Sequence, residues 1–345
     1  MEELVSIIIP VYNAGQFIER CANSLMKQTY ANCELIFVDD MSLDDSVARL
    51  ESIKDKCPNI TIVRQNTNGG PGMARKKGVE VAKGRYCIFV DSDDWVEKDY
   101  VKHLVEAMEV CGDFVIGGVC CDYEVVEKNH RVIFDKGVYD LSNISAVKLA
   151  DVINFSYPVA KIFQTRIIRE NNLMVGNITL HEDTAMVMGY LRFVQRVVFT
   201  DECDYHYVSR ECLSLTRKAR PSIELIAISD EMLKQWDLLL KQYNHIKASD
   251  VKQCIQRYGL GQLLQAVRAE FIGDLFSKRN VHEALRRIKQ RRLDLIRLYR
   301  PKTIVIAISA CVLIVLPNGV LVSGMKFMSG IYRYIRNVVA RLKEK

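Results

Sequence analysis

The sequence predicts an α/β fold, a doubly wound and mostly parallel sheet followed by a helical C-terminal region. Three observations carry that expectation. Over the first 120 residues, short apolar runs alternate with helix-like segments in the order β-α-β-α-β-α-β-α-β, which is the signature of a parallel sheet. The run Tyr86-Cys87-Ile88-Phe89-Val90 is continuously apolar, as a strand buried on both faces is. Polar groups gather where the runs end, at Pro10-Val11-Tyr12-Asn13, Asp39-Asp40 and Asp91-Ser92-Asp93. In open α/β sheets that carboxyl edge is where ligands bind.

In chain order, residues 5–11, 34–39, 60–64, 86–91 and 114–120 read as buried strands. Residues 16–28, 44–56, 72–82 and 98–111 read as the helices between them. The next stretch is mixed. Residues 131–138 read as a strand, 142–152 as a helix with a serine cap, 182–193 as a helix, and 197–200 and 205–208 as short strands. From about 216 to 300 the chain reads as helical, with Leu225, Ile228, Met232, Trp236 and Leu239 at three and four spacing. The expected domains are residues 1–216, a helical region 217–302 and a tail 303–345.

A length of 345 residues suits two domains and an ample core. The net charge of +6 is too mild and too uneven to imply nucleic acid. The excess lies at 286–302, where Arg286, Arg287, Lys289, Arg291, Arg292, Arg297, Arg300 and Lys302 face only Asp294. The 11 cysteines are scattered, mostly in apolar runs, with no C-x-x-C spacing. They read as small hydrophobes in a reducing compartment rather than a disulfide framework or zinc site. Glu2 and Glu3 open the chain without a basic n-region, so no signal peptide is expected.

The segment Asp91-Ser92-Asp93-Asp94 ends its apolar run abruptly. Asp91 and Asp93 are two apart, so one turn can aim both at a point. Hard oxygen ligands of this kind suit Mg²⁺ or Mn²⁺, held with waters and substrate phosphates. Taken alone, the segment also reads as a strand followed by an Asx turn and a helix start.

The block Val5-Ser6-Ile7-Ile8-Ile9-Pro10-Val11-Tyr12-Asn13 resembles the opening of family-2 glycosyltransferases, a large group with the GT-A fold. Glu34-Leu35-Ile36-Phe37-Val38-Asp39-Asp40-Met41-Ser42 resembles that family's E-I-x-x-V-D-D-G-S. Asn68-Gly69-Gly70-Pro71-Gly72-Met73-Ala74-Arg75 is similar to its N-x-G-x-x-x-A-R, Asp91-Ser92-Asp93-Asp94 to its D-x-D element, and His181-Glu182-Asp183 to its E-D pair. Tyr205-His206-Tyr207-Val208-Ser209-Arg210 and Ser214-Leu215-Thr216 are similar to the segment that closes the domain. The likeness covers roughly 1–216, with six motifs in order. Met41 stands where the family usually has Gly, Lys76 where Asn is common, and 157–161 keeps only Lys161 of a Trp and Lys pair.

The resemblance implies an inverting transfer of a sugar from a nucleotide-sugar donor, most often a UDP-sugar, to a glycan or lipid-linked acceptor. It implies Asp39 on the uracil N–H, Pro10 and Tyr12 flanking the base, and Asp91 on the ribose or metal. Asp93 would hold the metal, Asp183 would act as general base and Glu182 would orient the acceptor or Asp183. Arg75 and Arg210 are candidates to stabilise the diphosphate. The competing readings are a helix-capping Asp39 or Asp40, a surface ion pair for Arg75 or Arg210, and first-turn acids favoured by the helix dipole at Glu182 and Asp183. At the level of the whole chain the alternatives are a donor-binding homologue without turnover and a nucleotidylyltransferase. The latter needs a Gly-rich basic loop after the first strand, and Tyr12-Asn13-Ala14-Gly15 is not one.

Residues 303–316 carry no charge, Pro317-Asn318-Gly319 breaks the run, and Phe327, Ile331, Ile335, Val338 and Leu342 then form one helical stripe among basic residues. Fourteen residues fall short of the ~20 a spanning helix needs. The pattern reads as a peripheral or monotopic attachment to the cytoplasmic face of the cell membrane. A buried core helix and a single span of 303–325 are its rivals.

Overall fold

In the computed structural model the described residues are 2–55, 57–111, 113–123, 130–174, 178, 180–209, 220–272, 279–280, 283–284 and 286–287. The chain divides into two compact units, Met1–Ser145 with Phe155–Leu215, and Ala146–Asn154 with Thr216–Lys345.

The first unit holds the expected α/β frame. Strand β1 (Val5–Val11) pairs in parallel with β2 (Cys33–Asp39) and β4 (Tyr86–Phe89), and β2 pairs in parallel with β3 (Ile60–Arg64). Helices α1 (Ile18–Met26), α2 (Ser46–Lys54) and α3 (Gly70–Val81) connect them. Every residue of β1 is buried. Successive side chains point to opposite faces. Ile7 and Ile9 join a core with Ile18, Cys21 and Leu25 of α1 and Val101, Leu104 and Val105 of α4 (Tyr100–Cys111). Ile8 meets α3 instead, where a Cβ on Gly78 would sit 2.3 Å from its Cγ2. The helix can approach the strand that closely only with glycine there. Burying each such apolar side chain is worth about 1.5–3 kcal/mol, which is why this sandwich dominates the fold.

Beyond β4 the chain departs from the simple alternation. The run expected as one strand at 114–120 splits into β6 (Phe114–Ile116) and β7 (Val119–Tyr123), in different sheets. Gly117 and Gly118 make the break. Their N–H groups donate to Ala160 O and Glu202 O, both at 2.8 Å. Strand β10 (Lys161–Gln164) and the following α6 (Thr165–Glu170) carry no sequence-based expectation at all. β10 lies antiparallel between β4 and β6. Four residues opening on a lysine show no strand periodicity. The region 131–138 forms two strands, β8 (His130–Val132) and β9 (Gly137–Asp140).

With β5 (Trp95–Val96), β11 (Arg196–Phe199) and β12 (Tyr205–Ser209), the strands form two sheets. The large one has the order β3-β2-β1-β4-β10-β6-β11-β9, and the small one β5-β12-β7-β8. α7 (Glu182–Tyr190) passes into one 3-10 turn at Leu191–Phe193.

The second unit is helical. α5 (Ala146–Asn154) belongs to it and starts four residues later than expected from Ser142. α8 (Ser222–Gln242) buries Leu225, Ile228, Met232, Trp236 and Leu239, the stripe the spacing predicts. α9 (Lys252–Ile255), a π turn at Gln256–Leu260 and α10 (Gly261–Ile272) follow. Among the described residues no helix is long and apolar enough to cross a membrane. The tail 303–345 and Arg210 lie outside the described residues.

Candidate functional site

Strands β1, β2 and β4 run in parallel, so their ends deliver Pro10 and Tyr12, Asp39 and Asp40, and Asp91–Asp94 to one edge of the large sheet. The loops after β1 and β2 are tied together. Asn13, at φ +50°, donates its N–H to Ser42 Oγ at 3.0 Å, and its Oδ1 accepts Leu43 N–H at 2.8 Å. Ala14 N–H and Gly15 N–H donate to Ser46 Oγ (2.8 Å) and Asp44 Oδ2 (2.9 Å). Met41 sits at φ +65°, in the left-handed region that favours glycine, which explains why a glycine is the common choice at that turn. Asp39 is buried and accepts Ser42 N–H at 3.1 Å, while Tyr12 is half-exposed.

The capping role falls to Asp40. Its carboxylate accepts the N–H groups of Gly69 (2.8 Å) and Gly70 (2.7 Å) at the start of α3, and Gln65 Nε2 at 2.7 Å. Burial pushes its carboxyl up, and those two N–H donors pull it back.

Arg75, one turn into α3, is the hub. Its Nη2 lies 2.7 Å from Asp91 Oδ1 and its Nη1 3.7 Å from Glu182 Oε1, and the side chain is buried. Burial opposes its charge, but Asp91, Glu182 and Asp183 together hold the guanidinium above its ordinary value. Helix α7 reaches this point because α3 offers no side chain at Gly72, where a Cβ would lie 2.8 Å from Glu182 Cγ. Burial, then the Asp183 charge, push Glu182 up to about 6 against the pull of Arg75. Burial also raises Asp183, opposed by Arg75 and by the Thr184 N–H that donates to its Oδ1 at 2.7 Å. The structure thus brings Arg75, Asp91, Glu182 and Asp183 into one charged cluster.

The acidic turn divides its labour. Asp91 faces Arg75. Asp93 is partly exposed, and its main-chain carbonyl accepts Arg20 Nη2 at 3.0 Å. Asp94 is only 1% exposed and points inward. It accepts Tyr205 O–H at 2.5 Å and Val208 N–H at 2.8 Å. Burial and the charges of Asp91 and Asp93 push its carboxyl well up. The same Tyr205 oxygen accepts Asp91 N–H at 3.2 Å. Sequence reasoning assigned Asp94 no part, and a lone carboxylate beside two others offers no signal that it turns into the core.

A second group with ligand-type side chains is His103, Glu202 and Asp204, whose ligand atoms lie within 4.8 Å of one another. It shares no residue with the Asp91–Asp94 turn. A cavity of about 390 Å³ lined by Arg85, Gln164, Thr165, Arg166 and Arg169 adjoins the start of β4, the opposite end of that strand from Asp91.

Comparisons with known proteins agree with the fold. Residues 6–194 match the family model described as glycosyl transferase family 2. The glycosyltransferase GlyG of Streptococcus pneumoniae serotype 4 is 26% identical over 281 residues, 75% of this chain and 91% of that protein. The poly(ribitol-phosphate) beta-glucosyltransferase of Bacillus spizizenii is 29% identical over 209 residues, 59% of this chain but only 32% of that protein. The crystal structure of S. aureus TarS 1-349 in complex with UDP-GlcNAc superposes with a TM-score of 0.66 at 17% identity, covering 97% of this chain and 92% of that one. At that identity the likeness is one of fold, the GT-A fold.

Proposed function

The chain belongs to glycosyl transferase family 2, and from that premise we propose that it is an inverting enzyme acting on a nucleotide-sugar donor, a UDP-sugar. The acceptor is a glycan or lipid-linked molecule in cell-surface polysaccharide synthesis. The observation that carries this reading is the cluster of Arg75, Asp91, Glu182 and Asp183 at the same sheet edge as Asp93. The relatives support the donor and acceptor classes, since they include a complex with UDP-GlcNAc and a poly(ribitol-phosphate) beta-glucosyltransferase.

In this reading the donor lies along the edge formed by β1, β2 and β4. Asp39 accepts from the base, and Pro10 and Tyr12 flank it. Asp183 takes the proton from the acceptor hydroxyl as that oxygen attacks the anomeric carbon. One base and no second nucleophile give a single displacement with inversion. A carboxylate raised by burial is the stronger base, and Arg75 keeps it charged. Glu182, anchored between Gly72 and Arg75, orients Asp183.

The residues present fit a divalent cation. Asp93 and the oxygen of Asp91 not bonded to Arg75 are hard donors, and Mg²⁺ or Mn²⁺ takes one or two carboxylates with phosphates and water. When bound, such an ion neutralises charge on the departing diphosphate. The tail 303–345 holds the protein on the inner face of the membrane through its apolar run and basic flanks.

The test is a pair of variants assayed for donor binding and turnover. Asp183→Asn is expected to bind donor nearly as the parent does and to lose roughly 10²- to 10⁴-fold in turnover, the size of a general-base contribution. Asp93→Asn is expected to lose the metal-dependent part of UDP binding. Collapse of donor binding in Asp183→Asn would make Asp183 structural and refute the mechanism.

A further inference from the structure

Cys120 and Cys203 stand 83 positions apart in the sequence, and nothing in their spacing says that they meet. The fold puts their sulfurs 2.7 Å apart. Cys120 lies on β7 and is buried, while Cys203 lies in the loop before β12 and is partly exposed. The Cys120 thiol also donates to the Cys203 carbonyl at 3.1 Å. Both are free cysteines.

Backbone bonds hold the two segments together around the pair. Gly118 N–H donates to Glu202 O at 2.8 Å, and β7 then runs parallel to β12 with Val119 opposite Tyr205 and Cys120 opposite His206. Glycine permits that approach, since a Cβ on Gly118 would lie 2.9 Å from Glu202 O and 3.4 Å from Cys203 Cα. On the other flank Asp204 O accepts Glu97 N–H at 2.9 Å, and the Asp204 carboxylate meets His103 Nδ1 at 2.7 Å. The distance separates two uses of a thiol pair. Two thiolates on a tetrahedral zinc, each ~2.3 Å from the ion, lie about 3.7 Å apart, so these sulfurs are too close to share one. An S–S bond of ~2.05 Å asks only for a small further approach. Cys121 is no substitute for Cys120, because the next residue of a strand faces the other way.

We propose that Cys120 and Cys203 form a modification site, a thiol pair that a peroxide or a low-molecular-weight disulfide converts to a reversible disulfide bond. Cys203, the more exposed sulfur, meets the oxidant first. Its thiolate attacks a peroxide oxygen and becomes a sulfenic acid, releasing hydroxide that is protonated to water. Cys120 then displaces the sulfenic hydroxyl as a second water, and the S–S bond forms. Two thiols are oxidised and one peroxide is reduced. With a disulfide oxidant, Cys203 forms a mixed disulfide and Cys120 expels the second thiol. Burial, then the Cys120 thiol beside it, push Cys203 up to about 12. Little thiolate is present near neutrality, so the bond forms slowly under sustained oxidation. It joins β7 to a segment that ends just before Tyr205, whose hydroxyl backs Asp94 and the Asp91 main chain. A cross-link over so long a loop removes freedom from the unfolded chain, so the oxidised protein is the more stable one. None of this depends on the reading of Asp183 as the base.

The test treats the full-length protein with hydrogen peroxide or oxidised glutathione, alkylates the remaining thiols after denaturation, and maps the cysteines by peptide mass spectrometry. Peptides joined through Cys120 and Cys203 are expected, and dithiothreitol should separate them again. The oxidised protein is expected to melt about 5 °C or more above the reduced one, with slower hydrogen exchange in β12. Full alkylation of both cysteines after either oxidant overturns the proposal. So does a Cys203 carried to the sulfinic acid with no joined peptide, a joined peptide that runs through Cys121, or a melting temperature that does not rise. Cys203→Ser is expected to show neither the joined peptide nor the rise in melting temperature. A rise that persists in that variant comes from another site and also overturns the proposal. The peptide map of the parent settles the cross-link whether or not the variant folds.

Discussion

Glu182 shows what the site costs the fold. Its folded pKa of about 6 lies above the usual 4.5. Between those values the folded protein holds a proton that the unfolded chain has released, so stability falls as pH rises through that window. The cost is complete above about pH 6 and absent below about 4.5. Glu182→Gln, which mimics the protonated form, is expected to stabilise the ligand-free protein by about 2 kcal/mol above neutrality. Denaturant unfolding at several pH values should show that gain shrinking to nothing in acid, and a gain independent of pH would contradict the assignment. At this scale Asp39, Arg75, Asp91, Asp93, Glu182 and Asp183 could be named from sequence because short motifs bring them out. The separate duties of Asp40 and Asp94 could not. Which of several adjacent carboxylates turns inward depends on partners far along the chain, Gly69 and Gly70 for one and Tyr205 and Val208 for the other.

Tyr205 ties two elements together. It belongs to β12 in the small sheet, yet its hydroxyl bonds Asp94 and the Asp91 main chain at the end of β4 in the large sheet. Removing that hydroxyl leaves a buried carboxylate short of a donor, which costs about 1–3 kcal/mol. Tyr205→Phe is therefore expected to unfold at lower denaturant and to bind UDP more weakly, because the acidic turn loses its rear support. Unchanged UDP affinity would separate the small sheet from the site. The parallel strands β1, β2 and β4 were legible because continuous apolar runs have one solution, burial on both faces; β3, expected as a buried strand too, lies at the edge of the sheet and is buried only at Ile60. β10 was not legible, because four residues beginning with lysine carry too little pattern, and its place is set by hydrogen bonds to β4 and β6. The break at Gly117-Gly118 likewise exists because two different segments claim the neighbouring N–H groups.

For the whole molecule the testable question is attachment. Truncation after residue 302 is expected to release a protein that needs no detergent and still binds donor. The full chain should sediment with membranes, and salt should weaken that association, since basic flanks contribute about 1 kcal/mol per residue near anionic lipid. A full-length chain that stays in solution without detergent would favour a buried tail instead. The sequence by itself determined the α/β class, the family and the edge of the sheet where the acidic residues at the strand ends gather. Apolar period and motif order are local properties, and they survive without knowledge of any contact. The tertiary structure alone decided that residues 146–154 join the helical unit. It also decided that Asp94 is internal, that Lys161 lies in the middle of a sheet, and that Arg75 draws three carboxylates to itself. Each of these depends on which distant segment approaches, and the free energy of a buried charge is set by that neighbour rather than by the residues beside it in the chain.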